Sequence, residues 1–250
     1  MVRGLDLWRE HFANYTDAYV LIGGVACQLA MERIGGEFRA TQDLDIVLCL
    51  ERLDPAFVGA FWEFIRAAGY QAQERGDGHH RVYRFYQPTD GRYPAMLELF
   101  SRLPDDLDIS GESHLTPLPL SDDLSSLSAI LLDDDYYALV QAGRRVDDRI
   151  PYLAPEYIIP LKTRAWLDLS ARRDAGERVD SSAIKKHQND CLRLAAVIPG
   201  DTRVALIERI QADIVSLIDG LNENAIQPKD LGLVDITMTD ILEVLRSVYL

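Results

Sequence analysis

The stretch ATQDLDIVLCL, residues 40–50, sets Asp43 and Asp45 one residue apart in a run that otherwise reads as a buried β-strand. Side chains alternate between faces along a strand, so both carboxylates point one way while Leu44 and Ile46 point the other. At about 4 Å and an effective dielectric near 20, two such charges repel by roughly 4 kcal/mol. Some cation must offset that cost, and the simplest is a divalent metal. Oxygen-only ligands favour Mg²⁺ or Mn²⁺ over zinc, and Mg²⁺ commonly completes its shell with water and substrate phosphates.

A third acid repeats the oddity. In AMLELFS, residues 95–101, Glu98 shares a strand face with Met96 and Phe100, while Leu97 and Leu99 face away. If that strand lies beside the Asp43 strand, Asp43, Asp45 and Glu98 form a three-carboxylate cluster suited to two-metal phosphoryl transfer. One metal would steady a triphosphate and the other would lower the pKa of an attacking hydroxyl. Glu98 could instead be the general base, or simply an edge-strand acid facing water. Upstream, Gly23 and Gly24 end an apolar strand and open a helix. Unpaired backbone N–H groups attract phosphate there, and the missing Cβ lets it come close. The pattern is neither a Walker loop nor a dinucleotide fingerprint.

The elements that must position these residues follow from patterning. AYVLIGG reads as a buried strand, VACQLAMERIGG as a helix ended by Gly35 and Gly36, and DLDIVLCL as a second strand. PAFVGAFWEFIRAAGY reads as a helix started by Pro55 and stopped near Gly69, and HRVYRFYQ and AMLELFS as two strands across the turn-like PTDGRYP. The acidic, Ser- and Pro-rich piece from Leu103 to Asp135 is a long excursion from the sheet, and YYALVQAG looks like a further strand. From Ala154 onward four helical stretches follow: PEYIIPLKTRAWLDLSARR, SSAIKKHQNDCLRLAAVI, TRVALIERIQADIVSLIDGL and MTDILEVLRSVYL. The expected fold is α+β: a mixed sheet with flanking helices over residues 1–152, then a helical domain over residues 153–250.

Composition sets bounds on function. Three separated cysteines in apolar surroundings form neither a disulfide framework nor a zinc spacing, and Cys27 reads as a small core residue. No leader pattern opens the chain, and no apolar run approaches the roughly 20 residues of a membrane span, so a cytoplasmic setting is expected. A net charge of -14 disfavours sequence-independent nucleic-acid binding. Residues 160–190, with seven bases against five acids, offer a local exception or merely a solvated helical face. His79 and His80 fall in a turn with no partner at ligand spacing. His187 reads as solvent-facing or as a phosphate contact.

Taken together, LIGGVACQLAMERIGGEFRATQDLDIVL resembles the nucleotidyltransferase superfamily of DNA polymerase beta-like folds, whose signature is a Gly-Gly or Gly-Ser turn, a helix and Asp-x-Asp on the next strand. Its Arg-x-Thr-x-Asp-x-Asp form is similar to the AbiEii-type toxin nucleotidyltransferases. The resemblance implies a nucleotidyltransferase-like sheet, a nucleoside triphosphate bound with Mg²⁺ (or Mn²⁺) at the turn and the carboxylates, and Arg39 and Thr41 bordering the site. More loosely, LKTRAWLDLSARR and KKHQNDCLRL are similar to two helices of those toxins, which would carry roles onto Lys162, Lys186 and Asp190. Lys186 and Asp190, four apart, also share a helix face, where a surface ion pair is the simpler account.

The expected activity is therefore Mg²⁺-dependent transfer of a nucleoside monophosphate to an acceptor hydroxyl. The resemblance points to tRNA or another macromolecule, such as a protein, as acceptor, and to a cognate antitoxin as partner. Two alternatives stand beside it. One is an antibiotic-type transferase acting on a small molecule. The other is a non-catalytic nucleotide-binding module of a toxin–antitoxin pair.

Overall fold

A computed structural model of the chain describes residues 2–32, 41–49, 52, 54–76, 81–101, 130, 133–223 and 226–250. Arg39, the glycine pair Gly35 and Gly36, His79 and His80, and nearly all of the Leu103–Asp135 excursion lie outside the described residues. The chain divides into two units: Met1–Leu120 with Val140–Leu153, and Ser121–Leu139 with Ala154–Leu250.

The first unit is a mixed seven-stranded sheet with helices beside it. Its elements are α1 (Leu5–His11), β1 (Tyr19–Ile22), α2 (Gly23–Glu32), β2 (Asp43–Leu48), α3 (Pro55–Ala68), β3 (Gln71–Gly76), β4 (Arg81–Tyr86), β5 (Met96–Ser101), β6 (Arg144–Asp147) and β7 (Ile150–Leu153). Strand order is β3-β4-β5-β2-β1-β7-β6. β2 runs parallel to β5 and antiparallel to β1, and β7 runs parallel to β1. The remaining pairings are antiparallel.

Local chemistry explains the boundaries. Asp54 caps α3 by accepting a 2.7 Å hydrogen bond from Phe57 N, Pro55 starts the helix, and Gly69 ends it at φ 63°. The α3 face buries Phe57, Phe61, Phe64 and Ile65, and Phe64 meets Trp8 of α1 edge-on with ring centroids 5.2 Å apart. Such aromatic pairs add about 0.5–1.5 kcal/mol beyond their buried area. This aromatic layer backs the central strands: Trp8 also packs edge-on against Tyr19 of β1. β2 alternates as its sequence requires, Asp43 and Asp45 half-buried between the fully buried Leu44 and Ile46.

The second unit is helical. It contains α5 (Pro155–Asp174), α6 (Ser181–Ala195), α7 (Glu208–Glu223), a 3₁₀ turn (Pro228–Leu231) and α8 (Met238–Tyr249). α8 opens on a capping box between Thr237 and Asp240, and Tyr249 Oη donates a 2.6 Å hydrogen bond to Glu156 O. Pro160 sits inside α5, whose first turns are buried nearly all round.

Three sequence readings are corrected here. YYALVQAG is not a strand but most of α4 (Asp134–Ala142). Asp133 Oδ1 accepts from the backbone N–H of Asp135 (3.0 Å) and Tyr136 (3.3 Å), and the acidic first turn suits the helix dipole. Burial of Tyr136, Tyr137, Leu139 and Val140 then follows a helical period, not an alternation. The sheet instead takes the hairpin β6–β7, turned by Asp148 and Arg149 at φ 43° and 63°, and the polar edge strand β3, neither of which the patterning had marked. Finally, α7 starts six residues later than its pattern suggested, because Val204 N donates to Val248 O (2.9 Å) and holds that stretch outside the helix.

Candidate functional site

The sheet register assembles the site. β2 pairs with β5 so that Asp45 stands opposite Glu98, and β5 pairs with β4 so that Glu98 stands opposite Arg84. On the other side of β2, Asp45 is in register with Ile22, the last residue of β1. Strands lie about 4.8 Å apart, so one rank across the sheet reads Arg84, Glu98, Asp45, and then the Gly23 turn.

Gly23 follows Ile22 at φ 63°, a conformation that costs a residue with a Cβ about 1–2 kcal/mol. A Cβ there would also run into Asp45 Oδ2. The turn and the carboxylate thus touch, although 22 residues separate them in sequence. Gly24, the next residue of α2, closes on Thr41: a Cβ on Gly24 would stand 3.0 Å from Thr41 Oγ1. α2 itself begins at Gly23, so its unpaired backbone N–H groups start beside the Asp45 carboxylate.

Glu98 is only 7% exposed. Burial and the Asp45 charge together push its pKa up, to about 8, against the pull of Arg84. Arg84 grips one Glu98 oxygen with two nitrogens, Nε at 2.9 Å and Nη2 at 2.7 Å, both on Oε1. Oε2 is left for the side of Asp45. Two carboxyl groups face each other with one guanidinium on the far side of Glu98, a deficit of positive charge that a proton on Glu98 or a divalent cation among oxygen ligands would correct.

The expected three-acid cluster is assembled only in part. Asp45 and Glu98 meet, but Asp43 is in register with Met96, two residues along the strand from Glu98. Among the described residues no group of three or more His, Cys, Asp and Glu side chains is arranged to hold a metal ion. The physical reason lies in the register, which sets Met96, not Glu98, opposite Asp43 and leaves Asp45 alone in facing Glu98. Sequence reading missed Arg84, although its position between Tyr83 and Phe85 in a strand is the same anomaly as Glu98, with opposite sign. The antiparallel register of β4 and β5 would have exposed the pair.

Lys162, Lys186 and Asp190 belong to the second unit. Lys162 Nζ donates a 2.8 Å hydrogen bond to Asp190 Oδ2, with the two residues 7% and 0% exposed, and Arg193 Nη1 lies 3.5 Å from Asp190 Oδ1. Asp190 is therefore not at the surface, as its spacing from Lys186 suggested, but is the buried partner of Lys162 that ties α6 to α5. His187 is likewise buried rather than solvent-facing, and Cys27 is a buried free cysteine. Among the described residues no helix is long and apolar enough to cross a membrane.

No protein-family model and no curated protein matches the chain. Two solved structures are similar to it. An antigenic nucleotidyltransferase-like protein from Paracoccidioides brasiliensis is 14% identical with a TM-score of 0.47, the alignment covering 99% of this chain and 95% of that one. The Megavirus polyadenylate synthase is 12% identical with a TM-score of 0.42, covering 85% of this chain and 36% of that one. Likenesses this distant say nothing of activity.

Proposed function

We propose that the chain transfers a nucleoside monophosphate from a nucleoside triphosphate to an acceptor hydroxyl. The observation that carries the reading is the contact between the Gly23 turn and the Asp45 carboxylate, with Glu98 in register on the far side. A glycine turn at a helix start and a pair of acids are each common, but their convergence at one end of the central strands is what phosphoryl transfer requires.

In the proposed reaction the acceptor oxygen attacks the α-phosphorus. The bond from that phosphorus to the bridging α–β oxygen breaks, and pyrophosphate leaves with the bonding electrons. The backbone N–H groups at the start of α2 hold the phosphates, and Gly23 and Gly24 let them approach. Asp43 and Asp45 would hold Mg²⁺ or Mn²⁺, which when bound supplies charge neutralisation on the triphosphate. The ionised form of Glu98, favoured above about pH 8, accepts the proton of the acceptor hydroxyl, and Thr41, against Gly24, lines the entrance to the turn. The resemblance to toxin nucleotidyltransferases supports tRNA or a protein as acceptor, with an antitoxin as the regulating partner. A net charge of -14 favours the second reading, a cationic small molecule of antibiotic type.

The test incubates the chain with Mg²⁺ and each of the four α-labelled triphosphates, offering total tRNA, whole-cell protein or an aminoglycoside as acceptor. Label moving to one acceptor with equimolar pyrophosphate supports transfer and identifies the acceptor class. Triphosphate bound with no label transferred to any acceptor overturns transfer in favour of a nucleotide-binding module.

A further inference from the structure

The helical unit holds an open cavity of about 820 Å³ that the proposed transfer does not use. Its walls come from α5, α6, α7 and the 3₁₀ turn, all within that one unit. The volume is that of a small-molecule site. Gln188 lines the cavity from α6 and is only 5% exposed, yet its Nε2 finds no hydrogen-bond partner among the described residues. A buried amide N–H left unpaired is unfavourable, and an acceptor on a ligand in the cavity would satisfy it. Trp166 lines the same cavity from α5, and its six-membered ring lies against Gly220 of α7, where a Cβ would stand 2.6 Å from Trp166 Cη2. A glycine inside a helix is less favourable than alanine. Here it lets the helix backbone come close enough to seat the indole at the cavity wall.

The lining also selects by charge. Arg173 and Asp174 pair with each other at 3.0 Å, which leaves Lys185 against Asp219 and Asp230, one negative charge in excess. That balance disfavours a phosphorylated ligand and separates this cavity's occupant from the triphosphate proposed for the Gly23 turn. Ser170 and Ser216 add hydroxyls without charge. The lining suits an uncharged, flat molecule with hydrogen-bonding groups around its edge and hydroxyls beside it. An adenine nucleoside has that form. A glutamine amide can donate its N–H to a ring nitrogen of adenine and accept from the neighbouring amino group, carboxylates also accept from such amino groups, and an indole face stacks on the base.

We propose that the helical unit carries a second ligand site, for an uncharged purine nucleoside of the adenosine type. Gln188 reads the edge of the base, Trp166 stacks on its face, and the serine hydroxyls meet the ribose. The inference is independent of nucleotidyl transfer and is decided by binding alone.

The test titrates the full-length chain with adenosine, in the absence of metal and triphosphate, following tryptophan fluorescence and the heat of binding. Wild type should show saturable quenching with one adenosine per chain. Trp166→Phe should lose the quenching, because Trp8 and Trp62 belong to the first unit. Gln188→Leu should bind adenosine roughly tenfold or more weakly, with its Tm unchanged or raised, since it removes a donor that the fold leaves unpaired. A lowered Tm with unchanged affinity would mark Gln188 as structural and overturn the inference. So would quenching that survives Trp166→Phe, or no saturable response to adenosine in wild type. Quenching that depends on Trp166 but needs less aminoglycoside or less adenosine triphosphate than adenosine overturns it in favour of a cationic sugar or a phosphorylated ligand. Should Gln188→Leu fail to fold, Ser216→Phe decides, because it fills the cavity from an exposed position on α7. Loss of the heat of adenosine binding in that variant supports the site, and an undiminished heat overturns it.

Discussion

Replacing Gly23 by alanine tests whether the turn and the acid form one device. The substitution acts in two ways. A residue with a Cβ at φ 63° is strained by about 1–2 kcal/mol, and for a chain of this size each kcal/mol lowers the Tm by roughly 2–4 °C. The new methyl also meets Asp45 Oδ2, so the carboxylate must move on the order of 1 Å, a displacement that costs about 10²-fold in a positioned reaction. Gly23→Ala should therefore lose roughly 2–8 °C of Tm but about 10²-fold in transfer rate. Gly24→Ala is the control. Gly24 has an ordinary φ and its Cβ would stand 3.0 Å from Thr41 Oγ1, close but relieved by a shift of a few tenths of an ångström. That variant should keep its stability and most of its activity. Differential scanning fluorimetry and the labelled-triphosphate assay measure the two effects on the same preparations. Equal losses in the two variants, or a Gly23→Ala that is destabilised with transfer intact, would refute the reasoning.

Two further outcomes follow from the same geometry. Glu98 in the folded chain holds its proton up to about pH 8, whereas its ordinary value is 4.5. Between these values the unfolded chain binds fewer protons than the folded one, so the Tm of chelator-treated protein should fall as pH rises across that window, and Glu98→Gln should flatten the slope. A metal-free Tm that rises over the window contradicts this. Lys162→Met should cost about 3–5 kcal/mol in urea unfolding, because it strips the 2.8 Å partner from the fully buried Asp190, and Lys162→Met with Asp190→Leu should regain most of it. A single-variant loss below about 1 kcal/mol, the scale of an exposed pair, would show that the pair is not buried.

Much of the sheet was legible in sequence because its strands are punctuated. Gly23 and Gly24 end β1, and Pro55 and Gly69 bracket α3. The acids of β2 stand out against an apolar background, and the alternation that aims them to one side is local. What could not be read was non-local. Nothing in HRVYRFYQ says that Arg84 will meet Glu98 until the register of β4 on β5 is known. Nothing in LKTRAWLDLSARR says that Lys162 turns inward to Asp190, 28 residues away, until α5 and α6 are packed. YYALVQAG was misread because a short apolar run has no decisive period. The capping of α4 by Asp133 decided the outcome, and it looked in sequence like an acidic run.

The most direct measurement of the central claim compares wild type with Asp45→Asn for release of pyrophosphate from each triphosphate, in the presence of the acceptor that takes label. Asp45 touches the Gly23 turn and faces Glu98, and asparagine keeps its size while removing the charge. The account predicts at least a 10²-fold lower rate in Asp45→Asn, the scale of losing a preorganised electrostatic contact, with Tm unchanged or raised as Glu98 loses its repelling neighbour. Equal rates in wild type and variant would contradict it.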